Sequence, residues 1–204
     1  MAPRPLILQL DVGGNPQRWI TYEVAAYYYT KDLVAWTPSK DGFTIYGGNN
    51  RLTGSRSFMD MSTIIAVRGE TGGKSQYRVP TLTNQALFRR DQNMCAYCGH
   101  EFGHKDLTRD HVVALSRGGK DIWTNVVTAC GGCNRRKDDH MLEHIDMELL
   151  YVPYAPSRSE YLLLMNRSVL ADQMEFLKAQ IPANSRVHIP DFKERITQKV
   201  LARY

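Results

Sequence analysis

The four cysteines fall as Cys95, Cys98, Cys130 and Cys133, two Cys-x-x-Cys pairs with none left over. A short knuckle aims both of its thiolates at one point, and two knuckles complete a tetrahedron around a soft ion, so the pattern implies a structural zinc (Zn2+). It also implies a reducing compartment, because disulfides are the rarer use of such pairs. Four thiolates fill the zinc coordination and leave no position for water. Hydrolytic chemistry would therefore need a second ion on hard oxygen ligands, Mg2+ or Mn2+ rather than zinc. Between the pairs stands Leu107-Thr108-Arg109-Asp110-His111-Val112-Val113. Asp110 offers a hard carboxylate, and His111 an imidazole that can take a proton near neutral pH. An ion on Asp110 and a water facing His111 would suit metal-assisted hydrolysis. Neighbours on a strand point to opposite faces, so the two reach one target only where the strand is twisted or bulged.

The elements that must position these groups read as strand, loop, strand, helix. Thr83 can cap a helix running to Asp91 ahead of the first Cys pair; Leu107 to Ala114 is a strand, Ser116 to Lys120 a turn-forming loop, Val126 to Thr128 a second strand. A helix starts near Gly132, after the second pair. Upstream, Leu6 to Val12 reads as a strand stopped by Gly13-Gly14-Asn15-Pro16, and Thr21 to Tyr29 as a helix with Thr21 at its N-cap. Phe43–Tyr46 and Thr63–Val67 read as strands separated by a Gly/Asn/Ser-rich loop from Gly47 to Ser57. The aromatic set Trp19, Tyr22, Tyr27, Tyr28, Tyr29 and Trp36 is read as core and half-buried surface rather than as a base-stacking platform. Downstream, Ser157 and Glu160 have capping-box spacing, and Leu163, Leu170, Met174 and Leu177 fall near one helix face. Asp191 caps a last short helix through Leu201. The expected fold class is α+β, with a mixed α/β region at 1–83 of no assigned role, a central domain at 84–146 and a helical region at 147–204.

Cys95-Ala96-Tyr97-Cys98-Gly99, Asp110-His111-Val112-Val113, Ser116-Arg117-Gly118-Gly119, Trp123-x-Asn125-Val126-Val127-Thr128-Ala129-Cys130 and Cys133-Asn134-Arg135-Arg136-Lys137 together resemble the zinc-knuckle branch of the HNH (ββα-metal) endonucleases. The likeness runs from about Phe88 to Asp138, with weaker similarity to a bacterial subfamily around Leu10-Asp11, Trp19-Ile20 and Leu149 to Pro156. It implies a central ββα-metal hairpin and helix stabilised by a zinc on all four cysteines. It implies hydrolysis of phosphodiester bonds leaving 3′-hydroxyl and 5′-phosphate ends, with His111 as general base and Asp110 and Asn134 as ligands of the divalent ion. Asn125 matches the motif asparagine that ties down the loop and keeps the histidine oriented. This chain departs from the family in carrying Ala114 where proline is frequent and Asp138 where glycine is frequent.

Simpler roles exist for each group. The cysteines alone would make a non-catalytic zinc ribbon, a nucleic-acid-binding or adaptor module. His140 and His144 form a rival pair four residues apart, best read as exposed, and His100 and His104 as solvated. Arg109, Arg117, Lys120, Arg135, Arg136 and Lys137 are candidate phosphate contacts beside the site. The net charge of +5 over 204 residues fits a polyanionic partner, and the expected one is nucleic acid, in particular double-stranded DNA, with RNA as the alternative and a homodimer as one route to double-strand cutting. No long apolar core and no small-residue cleavage site follow Met1-Ala2-Pro3-Arg4-Pro5, and no apolar run nears the roughly 20 residues of a membrane span. A soluble, cytoplasmic enzyme without membrane contact is therefore expected, and integral membrane and disulfide-stapled secreted classes are excluded.

Overall fold

Ile64 to Val67 is an unbroken apolar run and Ile7 to Leu10 is apolar but for Gln9, the pattern of strands covered on both faces. In the computed structural model, which describes residues 5–38, 40–69, 79–166, 168–183 and 185–202, they form β1 (Ile7–Leu10) and β6 (Ile64–Val67), paired in parallel with Leu8 opposite Ile64. β2 (Pro16–Ile20) adds antiparallel to β1 and β3 (Val34–Trp36) antiparallel to β6, giving the order β2-β1-β6-β3. Pro16 can open β2 because an edge strand tolerates a missing N–H. Alternate side chains serve opposite faces. Ile7, Ile65 and Val67 meet Ala25 and Tyr28 of α1 (Tyr22–Thr30), whereas Leu8, Leu10, Ile64 and Ala66 meet Leu162 of α4 (Arg158–Met165) and Leu177 of α5 (Ala171–Ala179). Buried Gln173 on α5 donates to the carbonyls of Leu6 and Thr63 at 2.8 and 2.9 Å, so the polar group introduced into this layer is satisfied.

β4 (Gly42–Asn49) and β5 (Arg56–Ser62) form a separate antiparallel ribbon. Its base packs Phe43, Ile45, Met59 and Met61 into the cluster around α1, and its outer half is exposed. The segment 47–57, expected to be a loop, thus includes the ends of two strands. Glycine and serine weaken strand propensity but do not forbid a ladder once the base is anchored.

The second body is built on α2 (Asn84–Arg90), β7 (Leu107–His111), β8 (Val126–Cys130), α3 (Gly131–Lys137) and α6 (Phe192–Leu201). Thr83 caps α2, its hydroxyl accepting from the Ala86 N–H at 3.2 Å. Met94, Cys95, Ala96, Tyr97, Val127 and Ala129 join Met147, Leu150, Tyr151, Phe192 and Ile196 in one core. Contacts therefore gather the chain into two units, Met1–Arg78 with Arg158–Ile181 and Val79–Ser157 with Pro182–Tyr204, rather than along the divisions at 83 and 146. The C-terminal region is helical, but its single expected face is divided between α4, which ends at Met165, and α5, which starts at Ala171; both belong to the first unit, while α6 belongs to the second. Among the described residues no helix is long and apolar enough to cross a membrane.

Candidate active site

The knuckle turns back at Gly99 (φ +72°), whose N–H donates to the Cys95 carbonyl at 3.0 Å while the Cys95 N–H donates to the His100 carbonyl at 2.9 Å. β8 delivers Cys130 at its end and α3 delivers Cys133 in its first turn. The four sulfurs lie within 4.8 Å of one another, and none is in a disulfide. A tetrahedron of Zn–S bonds of about 2.3 Å needs sulfurs about 3.8 Å apart, so the cluster fits a metal such as zinc. Burial and the neighbouring sulfurs push the Cys98 thiol up to about 11 and the Cys133 thiol well above its usual range. For Cys130 burial pulls upward, but hydrogen bonds, foremost from the Cys133 N–H, prevail and lower it. Four thiolates crowded in this way require a cation to ionise together, and they lose protons when it binds.

β7 and β8 pair in unbroken antiparallel register from Leu107 opposite Cys130 to His111 opposite Val126. There is no bulge, so the strand keeps its alternation: the Asp110 carboxylate lies with Tyr97 and Lys137 on the α3 side and the His111 ring with Asp121 on the other, at the end of β7 where strand pairing stops. β7 ends at His111, short of Ala114, because Asn125 takes over the backbone beyond it. Asn125 Oδ1 accepts from the Val113 N–H at 2.9 Å, and its amide donates to the carbonyls of Val113 at 3.0 Å and Lys120 at 2.9 Å.

Asp110 is 5% exposed and faces α3. Its carboxylate accepts from the Tyr97 hydroxyl and, at 3.3 Å, from the Lys137 ammonium. Burial, then the Asp110 charge, drives the Tyr97 phenol far above its ordinary range, which keeps it a donor. Lys137 is not a surface phosphate contact: it is fully buried, and its Nζ also donates to the carbonyls of His111 at 2.7 Å and Asp138 at 3.4 Å. The reason is the helical period, which turns the last residue of α3 back over the hairpin. Asn134, one turn earlier, donates from its amide to the Thr108 hydroxyl at 2.9 Å. Thr108, Asp110, Asn134 and Lys137 thus share the α3 side of β7. One carboxylate and one amide oxygen suit a hard ion that keeps several waters, and such an ion would have to displace the Lys137 ammonium from the Asp110 carboxylate.

On the other side, His111 Nε2 lies 2.9 Å from Asp121 Oδ1, and Arg109 Nη1 grips the same carboxylate at 2.6 Å. Arg109 Nε also donates to Asn84 Oδ1 at 2.9 Å, so this residue is engaged within the protein. Burial opposes ionisation of Asp121, but the bonds from Arg109 and His111 prevail and hold the carboxyl below its usual range. An ionised carboxylate only accepts, so Nε2 donates to Asp121, and in the neutral ring Nδ1 is the nitrogen left to accept a proton. Nδ1 has no partner among the described residues. Asp121 is the neighbour of His111 and Arg109 that sequence reasoning misses. Its distance from the Asp-His pair hides it, and only a hairpin turning at Ser116 to Lys120 could have placed it there.

Of the other cations, Arg117 pairs with Asp139 at 3.5 Å and Arg136 Nη2 donates to the Asp146 carbonyl at 3.3 Å. Lys120 and Arg135 are without an ion-pair partner among the described residues. His140 and His144 do not share a helix, since α3 ends at Lys137 and His144 sits in a short 3-10 turn. His140 groups instead with Asp138 and Asp139 at the surface. His100 and His104 are exposed, with His104 edge-on to Phe88 at 5.4 Å.

No curated protein matches the chain. Residues 95–150 match the family model described as HNH endonuclease, a span holding both knuckles, β7, β8 and α3. Over residues 95–150, therefore, this chain is similar to the HNH endonucleases, and its hairpin and helix are joined there by a cysteine cluster of zinc-knuckle type.

Proposed function

We propose that the chain is a metal-dependent endonuclease that hydrolyses phosphodiester bonds of DNA, with His111 as the base that activates water. The observation that carries this reading is the His111 ring, held through Nε2 by an ionised carboxylate so that Nδ1 presents a lone pair. Asp121 fixes the ring's orientation and offsets the positive charge it gains on taking a proton. Arg109 keeps Asp121 in place, and Asn125 holds the loop through Val113 and Lys120. Asp110 and Asn134 are the residues that would hold a Mg2+ or Mn2+ ion. Such an ion supplies neutralisation of the phosphate charge and of the leaving 3′-oxygen. Lys120 and Arg135 are placed to touch the nucleic-acid backbone, with Arg117 and Arg136 available once their carboxylate and carbonyl contacts exchange. A reducing, cytoplasmic setting belongs to this reading, and double-strand cutting would require two sites, hence a homodimer or successive nicks.

One observation favours a second reading, a zinc-ribbon module that binds nucleic acid without cutting it: Asp110 is buried beneath Tyr97 and Lys137. Cleavage of supercoiled plasmid separates the two. Wild type and His111→Ala are compared with no added divalent ion, with Mg2+ or Mn2+, and with EDTA. Metal-dependent nicking that falls at least about 1,000-fold in the mutant supports the nuclease reading, at the upper end of what one general base supplies. Absence of cleavage by folded, zinc-loaded wild type on plasmid, single-stranded DNA and RNA would leave the binding module.

A further inference from the structure

The ribbon of β4 and β5 is anchored at one end only. Phe43, Ile45, Met59 and Met61 hold its base, whereas every residue from Tyr46 to Phe58 is exposed. The projecting part is nevertheless ordered by its own bonds. Tyr46 pairs across the strands with Phe58 and Asn49 with Arg56. The Arg56 guanidinium lies 5.0 Å above the Tyr46 ring and its Nε donates to the Gly47 carbonyl at 3.2 Å. At the tip, Asn50 Oδ1 accepts from the Leu52 N–H at 2.8 Å and the Asn50 N–H donates to the Ser55 carbonyl at 2.8 Å. Tyr46 is 59% and Phe58 66% exposed, and as cross-strand neighbours they form one contiguous aromatic patch, the kind of surface that marks an interaction site.

The charge of the finger selects the partner. Between Gly42 and Met59 the charged residues are Arg51 and Arg56, and no acidic residue occurs. The remainder of the tip is rich in asparagine, threonine and serine, side chains that bond base edges and phosphates. Four residues of strand beyond the anchored base rise about 13 Å at roughly 3.3 Å each, enough to fill a B-DNA major groove about 8.5 Å deep. That groove is wide enough for a two-stranded ribbon, whereas the A-form RNA major groove is too narrow to be read by side chains.

We infer that the β4–β5 hairpin is a DNA-binding finger that enters the major groove of duplex DNA, with Arg51 and Arg56 on phosphates or base edges and Tyr46 and Phe58 covered by the groove wall. The inference rests on the reading of duplex DNA as the substrate and gives a task to the N-terminal unit.

The test is binding of the full-length, zinc-loaded protein to a 30-base-pair duplex across a salt series, without Mg2+ or Mn2+. Arg51→Gln/Arg56→Gln should weaken binding at least tenfold at 0.1 M salt and make the slope of log affinity against log salt shallower by about 2, near 0.9 for each phosphate no longer neutralised. Arg51→Gln alone, which leaves the Arg56–Tyr46 stack intact, should give about half of that change. Wild-type affinity and slope in the double variant would overturn the inference. So would a loss confined to RNA. Plasmid cleavage, run in parallel, separates this from the nuclease reading. A wild type that binds duplex through these arginines but cuts nothing sinks the nuclease reading and leaves the finger. A wild type that cuts, paired with a double variant that binds equally well, sinks the finger alone.

Discussion

The His111 imidazole has one strong partner, the Asp121 carboxylate at 2.9 Å, which is itself held by Arg109 at 2.6 Å. A carboxylate can only accept, so it selects one tautomer; an amide can turn and donate. Asp121→Asn keeps the shape but can present an N–H to Nε2 and drive the proton to Nδ1, the atom that the proposed mechanism uses as base. We expect that change to lower kcat by up to about 10,000-fold, the loss seen when such a swap imposes the wrong tautomer in a catalytic triad. Zinc content, melting temperature and duplex affinity should stay at wild-type values. Wild-type kcat in folded Asp121→Asn would remove Asp121 from the mechanism.

The helix α3 ends at an awkward residue. Asp138, its C-cap, has φ +49° and ψ −132°, a conformation open to glycine and costly for other residues, by about 1–3 kcal/mol. The cap N–H still donates to the Asn134 carbonyl at 2.9 Å, so the bend is needed to turn the chain away after Lys137 has been folded inward. Asp138→Gly should raise stability by about 1 kcal/mol in urea unfolding without changing zinc binding; a destabilised variant would mean that the carboxylate has a role outweighing the strain. The glycine frequent at this place in the resembling family follows from the same angle. So does the proline frequent at Ala114, whose φ of −59° is already the value proline fixes. At this scale the sequence was most legible where signals were local. Thr83 before α2, the two Cys-x-x-Cys knuckles and the apolar runs of β1 and β6 each carry their own reason. β5 did not, since Arg56-Ser57-Phe58-Met59-Asp60-Met61-Ser62 puts only Met61 in a fully buried place and lacks an apolar face to count. The inward turn of Lys137 was equally hidden, because a basic run on a short helix reads as solvated until the opposing hairpin is in view.

Each compact unit is assembled from two stretches of chain, which bears on whether residues 84–146 could stand alone. In the second unit the core around the cysteines takes Met147, Leu150, Tyr151, Phe192 and Ile196 from outside that span. It is also closed by a buried charge cluster. Asp91, with no exposed surface, accepts from Arg90 at 2.9 and 3.0 Å, from Arg186 at 2.5 Å and from the Thr128 N–H at 3.0 Å. Arg90 reaches on to the carbonyls of Trp123, Val126 and Tyr154, and Arg186 lies 4.4 Å over the Tyr151 ring. One carboxylate thus binds α2, β8 and the segment before α6 into a single frame for the hairpin. Removing one member of such a set leaves the others charged and buried, which costs about 3–5 kcal/mol, although the intact set need not stabilise the fold more than well-packed apolar residues would. Asp91→Ala should therefore lower the stability of this unit by about 3–5 kcal/mol, read from Trp123 fluorescence in urea with Trp19 and Trp36 replaced by Phe. Arg186→Ala should cost less, because Arg90 would still neutralise Asp91. A loss below about 1 kcal/mol in Asp91→Ala would mean that water reaches Arg90 and Arg186, and the hairpin would then owe its position to the cysteine cluster and the apolar core alone.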